Sequence, residues 1–173
     1  MLEPLARNPR DHDPPRANLL ARPGELAGPG IWMGGAHTPI GLPIEINGVE
    51  RSWVIDCAGD MPGSYRARAA RWFARVFPDL DAIPSDFDGI RALATDVAAA
   101  MASSREAPDN LYVVCQHGMN RSGLVAGLVL RQLGVPGPEA LARITAARPG
   151  ALSNQAFRRL VEGRPVVSTA PDR

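Results

Sequence analysis

Lysine is absent from this chain: all nineteen positive side chains in the 173 residues are arginine, set against eighteen Asp and Glu for a formal net charge of +1. With a balance so close to neutral, nothing global in the charge points to nucleic acid or to an anionic membrane. Arginine-only usage, with abundant Ala, Gly and Pro, reads as a biased composition, so a single arginine is less informative here than usual. Cysteine is scarce too. Two thiols make no disulfide framework, and a reducing cytoplasm is the natural compartment. Long apolar runs are missing. The longest, Leu124 to Leu130, falls far short of the ~20 residues that span a bilayer, and Met1-Leu2-Glu3-Pro4-Leu5-Ala6-Arg7 has no signal-peptide apolar region. The expectation is a soluble, cytoplasmic protein with no membrane partner. Three scattered histidines without paired carboxylates give no metal site.

What the chain does have is concentrated in one stretch, Val113-Val114-Cys115-Gln116-His117-Gly118-Met119-Asn120-Arg121-Ser122-Gly123-Leu124. Leu111 to Val114 is a short apolar run that reads as a buried strand, and Leu124 to Leu133 is apolar on nearly every side, as in a buried helix. A loop joining a strand to a helix N-terminus turns backbone N–H groups inward and attracts an anion. A thiol at the loop's edge makes that site reactive, because the N–H groups and the helix dipole favour thiolate over thiol and make Cys115 a nucleophile. Arg121 follows after five intervening residues, enough for the loop to curl and bring the guanidinium back over the sulfur. There its parallel N–H bonds match two phosphate oxygens. Gly118 allows the backbone turn, and Ser122 sets a hydroxyl near the sulfur to help it leave.

The 45% hydrophobic composition fits one globular domain with a normal core. Residues 1–25, rich in Pro, Arg and Asp, read as a flexible lead-in, and 164–173 as a loose tail. Ile31-Trp32-Met33 before Gly34-Gly35 suggests a short strand closing in a turn, and His37 after it reads as a solvated loop histidine. Glu45 to Ala58 holds one or two strands, with Asn47-Gly48 as a turn and Trp53-Val54-Ile55 as the buried run. Tyr65 to Phe77 carries Ala69, Trp72, Phe73, Val76 and Phe77 at helical spacing. Arg66, Arg68, Arg71 and Arg75 then form either a solvated face or a basic rim that draws a phosphorylated partner. Pro78 to Asp88 is a proline-broken loop with four aspartates, and a carboxylic acid there has a use in protonating a leaving oxygen. Phe87 to Met101 forms one apolar stripe, and Glu139 to Ala147 and Asn154 to Glu162 give two more helices.

Cys115 to Ser122 resembles the phosphate-binding loop of the cysteine-based protein tyrosine phosphatases, in their dual-specificity branch. The resemblance implies an α/β fold, a short mixed sheet flanked by helices in one phosphatase-like catalytic domain over 26–163. It implies metal-independent and cofactor-free hydrolysis of phosphate monoesters (phosphotyrosine and/or phosphoserine/threonine) on a protein or peptide through a phosphocysteine intermediate. Cys115 is then the nucleophile, Arg121 the transition-state cation and Ser122 the aid to thiolate departure. The backbone of Gln116, His117, Gly118, Met119 and Asn120 cradles the substrate. Similar enzymes carry their acid in a Pro-x-x-Asp stretch followed by proline. Pro78-Asp79-Leu80-Asp81 before Pro84 matches it, with Asp81 as the acid and Asp79 as second choice. Arg148-Pro149 ahead of Asn154-x-x-Phe157 is also similar to the family, Asn154 bracing the loop and Phe157 packing beneath it. The alternative is that Ser153 or Asn154 is only a helix N-cap.

The chain departs from that pattern where a histidine usually precedes the nucleophile, here Val114. Thiolate stabilisation then rests on the loop N–H groups, Arg121 and the helix dipole. His117-Gly-x-Asn-Arg is closer to the RNA 5′-triphosphatase branch, which makes a phosphoanhydride hydrolase the enzymatic alternative, although no aromatic and basic surface for single strands is evident. A phosphate-binding module with weak catalysis is the other. Cys57 closes a strand at the place where the phosphatases of regenerating liver and the tumour-suppressor phosphoinositide phosphatase carry a cysteine. It is either a redox partner for Cys115 or a small buried hydrophobe.

Overall fold

A computed structural model of the chain describes residues 17–26, 28–36, 48–61, 63–103 and 105–166. His37 and the Asn47 half of the expected turn lie outside them. Five strands, β1 Ala17–Ala21, β2 Gly30–Gly35, β3 Ser52–Asp56, β4 Arg71–Ala74 and β5 Asn110–Cys115, form one sheet in the order β1-β2-β5-β3-β4. β1 runs antiparallel to β2 and the remaining pairs are parallel, so the sheet is mixed, as expected. The helices are α1 Gly63–Arg68, α2 Phe87–Ser103, α3 Arg121–Gln132, α4 Gly137–Ala147 and α5 Gln155–Glu162.

Side chains alternate across the central strands because successive residues of a strand point to opposite faces. Leu111, Val113 and Cys115 of β5, Trp53 and Ile55 of β3, and Ile31 and Met33 of β2 join the core shared with α2, α3, α4 and α5. Tyr112, Val114 and Val54 face the other way, under Trp32, Tyr65 and Trp72. Both faces are therefore covered, which is why β5 reads as an unbroken apolar run. α3 is buried from Ser122 to Leu130 and packs on β2, β5, α2, α4 and α5. It admits α5 closely at Gly127, where a Cβ would lie 2.7 Å from a Val161 methyl.

Two expectations are corrected. The helix expected over 65–77 stops at Arg68, and β4 takes its place on the edge of β3 in the register Trp53↔Arg71 to Asp56↔Ala74. Adjacent Trp72 and Phe73 bury on opposite faces of the sheet, one in each core cluster. Both faces of the edge need filling, and strand pairing overrides a helical spacing that two neighbouring aromatics happen to satisfy. The flexible lead-in expected over 1–25 contains β1, which adds an antiparallel edge to β2. The tail is described as far as Val166, which packs on the core. The basic rim is largely engaged: Arg68 pairs with Glu50, Arg75 meets Asp86 at 2.9 Å, and Arg71 lies over Trp53 and Phe73. Among the described residues no helix is long and apolar enough to cross a membrane.

Phe157 is fully buried and meets Phe77 edge to face with ring centroids 6.0 Å apart. Phe157→Ala is expected to lower the unfolding free energy by about 3–5 kcal/mol in a urea titration.

Candidate active site

β5 ends at Cys115 and α3 starts at Arg121, so the intervening loop hangs between the middle of the sheet and the most buried helix. Cys115 is 2% exposed. Its Sγ donates to Ser122 Oγ at 3.2 Å and accepts the Gly118 N–H at 3.2 Å. A hydroxyl can rotate to donate once the sulfur is ionised. Gly118 sits at φ 70°, and a Cβ there would lie 2.4 Å from Gly34 C and Gly35 N. Only glycine fits, for backbone conformation and for space alike.

The loop's carbonyl oxygens are held from outside. Ala36 N–H donates to Cys115 O at 2.6 Å, Leu152 N–H to Met119 O at 3.1 Å and Leu124 N–H to Asn120 O at 2.9 Å. Arg148 Nε donates to Gly118 O at 2.7 Å and its Nη2 to His117 O at 3.3 Å. In a planar trans peptide the N–H points opposite to the carbonyl, so fixing the oxygens outward turns the N–H groups of residues 118–120 inward. Leu152 holds a positive φ of 57° while fully buried, strain of about 1–3 kcal/mol that this contact with Met119 O accompanies.

Above the sulfur is a cavity of about 320 Å³ lined by Asp79, Cys115, His117, Met119, Asn120, Arg121, Gly150 and Ser153. Arg121 Nη1 donates to Phe77 O at 3.4 Å, and its Nε is buried without a hydrogen-bond partner among the described residues. Such a group is costly unless something satisfies it, and an oxyanion is the partner that a guanidinium fork fits. Gln116 is exposed and contributes no wall.

The aspartates divide differently from expectation. Asp79 lines the cavity, and its two oxygens accept from Asn120 Nδ2 at 3.0 Å and Asn154 Nδ2 at 2.9 Å. Asp81 instead accepts the Ala156 N–H at 2.8 Å, at the start of α5, where a carboxylate satisfies a free helix N–H and meets the positive end of the dipole. A helix terminus competes for the carboxylate, and a sequence spacing does not reveal that. Asn154 touches both α5 and the phosphate loop. Its Oδ1 caps Phe157 N–H at 3.1 Å, its N–H reaches Asn120 Oδ1 at 3.1 Å, and its Nδ2 also donates to Leu80 O at 2.8 Å.

Cys57 follows the register that ends at Asp56↔Val114, which sets it opposite Cys115, and its N–H donates to Val114 O at 2.8 Å. Both thiols are free and buried in the same core cluster. Neighbouring strands run about 4.8 Å apart, within the ~4.4–6.8 Å Cα spacing of a disulfide. Burial pushes the Cys57 thiol well up, and the charges of Cys115 and Asp56 add to it while Arg121 opposes. Cys57 is thereby held as a thiol at neutral pH.

No protein-family profile and no curated protein sequence matches the chain. Solved structures do. Tk-PTP in its active form aligns with a TM-score of 0.61 at 20% identity over 87% of this chain and 99% of that one. A mouse putative dual specificity phosphatase complexed with zinc tungstate gives 0.61 at 20% identity over 92% and 91%. Human DUSP28 gives 0.57 at 20% identity over 87% and 93%. The fold is that of the dual-specificity phosphatases. Within that fold, Arg148 and Leu152 are the supports that sequence reasoning missed. The Arg148-Pro149 turn was a visible signal for the first, and nothing in the sequence marks the second.

Gly118→Ala is expected to destabilise the protein by about 3 kcal/mol or more. Gly63→Ala, where a Cβ meets nothing within 4 Å, stays within about 0.5 kcal/mol; thermal melts of the two variants make the comparison.

Proposed function

We propose that this chain is a cysteine-based phosphatase that hydrolyses phosphate monoesters on a phosphorylated protein or peptide, at phosphotyrosine and/or phosphoserine/threonine. The observation that carries the reading is Cys115 Sγ, bonded to Gly118 N and Ser122 Oγ, in a cavity that it shares with Arg121. The thiolate attacks phosphorus in line with the ester oxygen. Arg121 and the inward N–H groups take up the charge on the equatorial oxygens, where contacts that tighten in the transition state lower the barrier. The leaving oxygen takes a proton from Asp79, which replaces Asp81 in this role because it lines the cavity. Water then attacks the phosphocysteine, Asp79 receives its proton, and Ser122 Oγ donates to the departing sulfur.

Cys57 serves this reading as a guard for the nucleophile. Peroxide converts the Cys115 thiolate to sulfenic acid, and the Cys57 thiol displaces water from it to form a disulfide. The alternation that puts both side chains on one face of the sheet supports this step.

With an alkyl phosphate, Cys115→Ser is expected to abolish phosphate release and Asp79→Asn to lower kcat by about 10²–10⁴. Asp81→Asn is expected to keep most of kcat while losing about 1 kcal/mol of stability with the α5 cap. A loss of kcat in Asp81→Asn with Asp79→Asn near wild type would return the acid to Asp81, and faster turnover of triphosphate-ended RNA than of either an aryl or an alkyl ester would replace the monoesterase reading. Peroxide treatment of wild type is expected to remove two hydrogens by intact mass and to leave activity recoverable by dithiothreitol. Cys57→Ala should lose that recovery.

A further inference from the structure

Arg148 is 1% exposed and lies behind the phosphate loop, on the side away from the cavity. Among the described residues its nitrogens reach Asn18 Oδ1 from Nη1 at 2.8 Å, Gly118 O from Nε at 2.7 Å and His117 O from Nη2 at 3.3 Å. The last contact has a chemical direction. The His117 carbonyl and the Gly118 N–H belong to one peptide group, and that N–H donates to Cys115 Sγ at 3.2 Å. A cation on the oxygen draws electron density from the amide and makes its N–H a stronger donor, as linked hydrogen bonds polarise one another. The charge of Arg148 is thus relayed through one peptide to the sulfur. Residue 114, the neighbour from which a cation would otherwise act, is valine and turns to the opposite face of the sheet.

We infer that Arg148 is a positioning residue whose buried guanidinium polarises the His117–Gly118 peptide and so favours the Cys115 thiolate. Its bearing on turnover rests on the phosphatase reading above, whereas its effect on the thiol does not. The second contact, to Gly118 O, turns the next N–H toward the anion site, so one side chain prepares both the nucleophile and the cradle. Asn18 fixes the guanidinium from β1, which gives the edge strand at the start of the described fold a part in the site.

Other charged or titratable groups also surround the sulfur. Arg121, Asp79 and His117 line the same cavity, and Cys57 and Asp56 approach from the end of β3. All are retained in variants at 148, so a difference between variants isolates the relay. The test is iodoacetamide alkylation of Cys115 across pH in wild type, Arg148→Met and Arg148→Lys, with Cys57→Ala as the common background. At pH 6 the Met variant is expected to alkylate roughly tenfold more slowly than wild type. The Lys variant, which keeps the charge without the fork, is expected to fall between them. All rates should converge at pH 9.5, above the ordinary cysteine range of about 8.5. A loosened loop would instead change the rate at every pH. If Arg148→Met does not fold, as judged by circular dichroism, the Lys variant alone decides. Unchanged alkylation at pH 6 in a folded variant, or an equal change at both pH values, would overturn the inference. Rapid alkylation of wild type at pH 6 without phosphate release from any ester would sink the phosphatase reading and leave the role of Arg148 standing.

Discussion

Contact of backbone on backbone between Gly118 and the Gly34–Gly35 end of β2 is the constraint on which the site depends. The glycines of β2 remove every side chain from the last turn of that strand, and Gly118 removes the one that would face them. The loop can then lie flat against the sheet edge, with its carbonyls delivered to Ala36, Arg148 and Leu152. The donors come from two distant parts of the chain, the end of β2 and the connection between α4 and α5, so the loop's shape is enforced by the fold rather than by its own sequence. Anion affinity follows, since carbonyls satisfied on the outside leave the amides facing in.

The sheet's alternation carries this local geometry into chemistry. Odd-numbered residues of β5 belong to the helix-covered face and even-numbered ones to the other. That phase puts Cys115 under α3 beside Ser122, and by the same count gives residue 114 to the opposite face. β3 runs parallel and in step, which brings Cys57 to the same level. Electrostatic support for the sulfur therefore comes along the backbone and from behind the loop, where Arg148 sits.

Much of this was legible in the sequence, for identifiable reasons. β5 is a short unbroken apolar run, α3 is apolar on nearly every side, α2, α4 and α5 carry apolar faces at helical spacing, and the Cys115 to Ser122 spacing specifies a local turn, so these elements survive in the structure. β4 was not legible, because Trp72 and Phe73 satisfy a helical spacing and the pairing partner on β3 that decides between the two lies far away in sequence. β1 was hidden by its short length beside prolines and arginines. At the site, spacing does not distinguish Asp79 from Asp81; the position of the α5 N-terminus does, since it engages Asp81 while Asp79 lines the cavity. Arg148 was one arginine among nineteen, marked only by the Pro149 turn beside it, and its place behind the loop comes from the fold.

The two amides that hold Asp79 tie together parts of the chain that are far apart in sequence. Asn120 belongs to the phosphate loop and Asn154 caps α5, whereas Asp79 lies on the irregular segment between β4 and α2. One carboxylate has two oxygens, and each is taken by a different element, so a single short side chain fastens the irregular segment at two points. The wall of the cavity that carries no regular secondary structure is thereby positioned by side chains rather than by a backbone ladder.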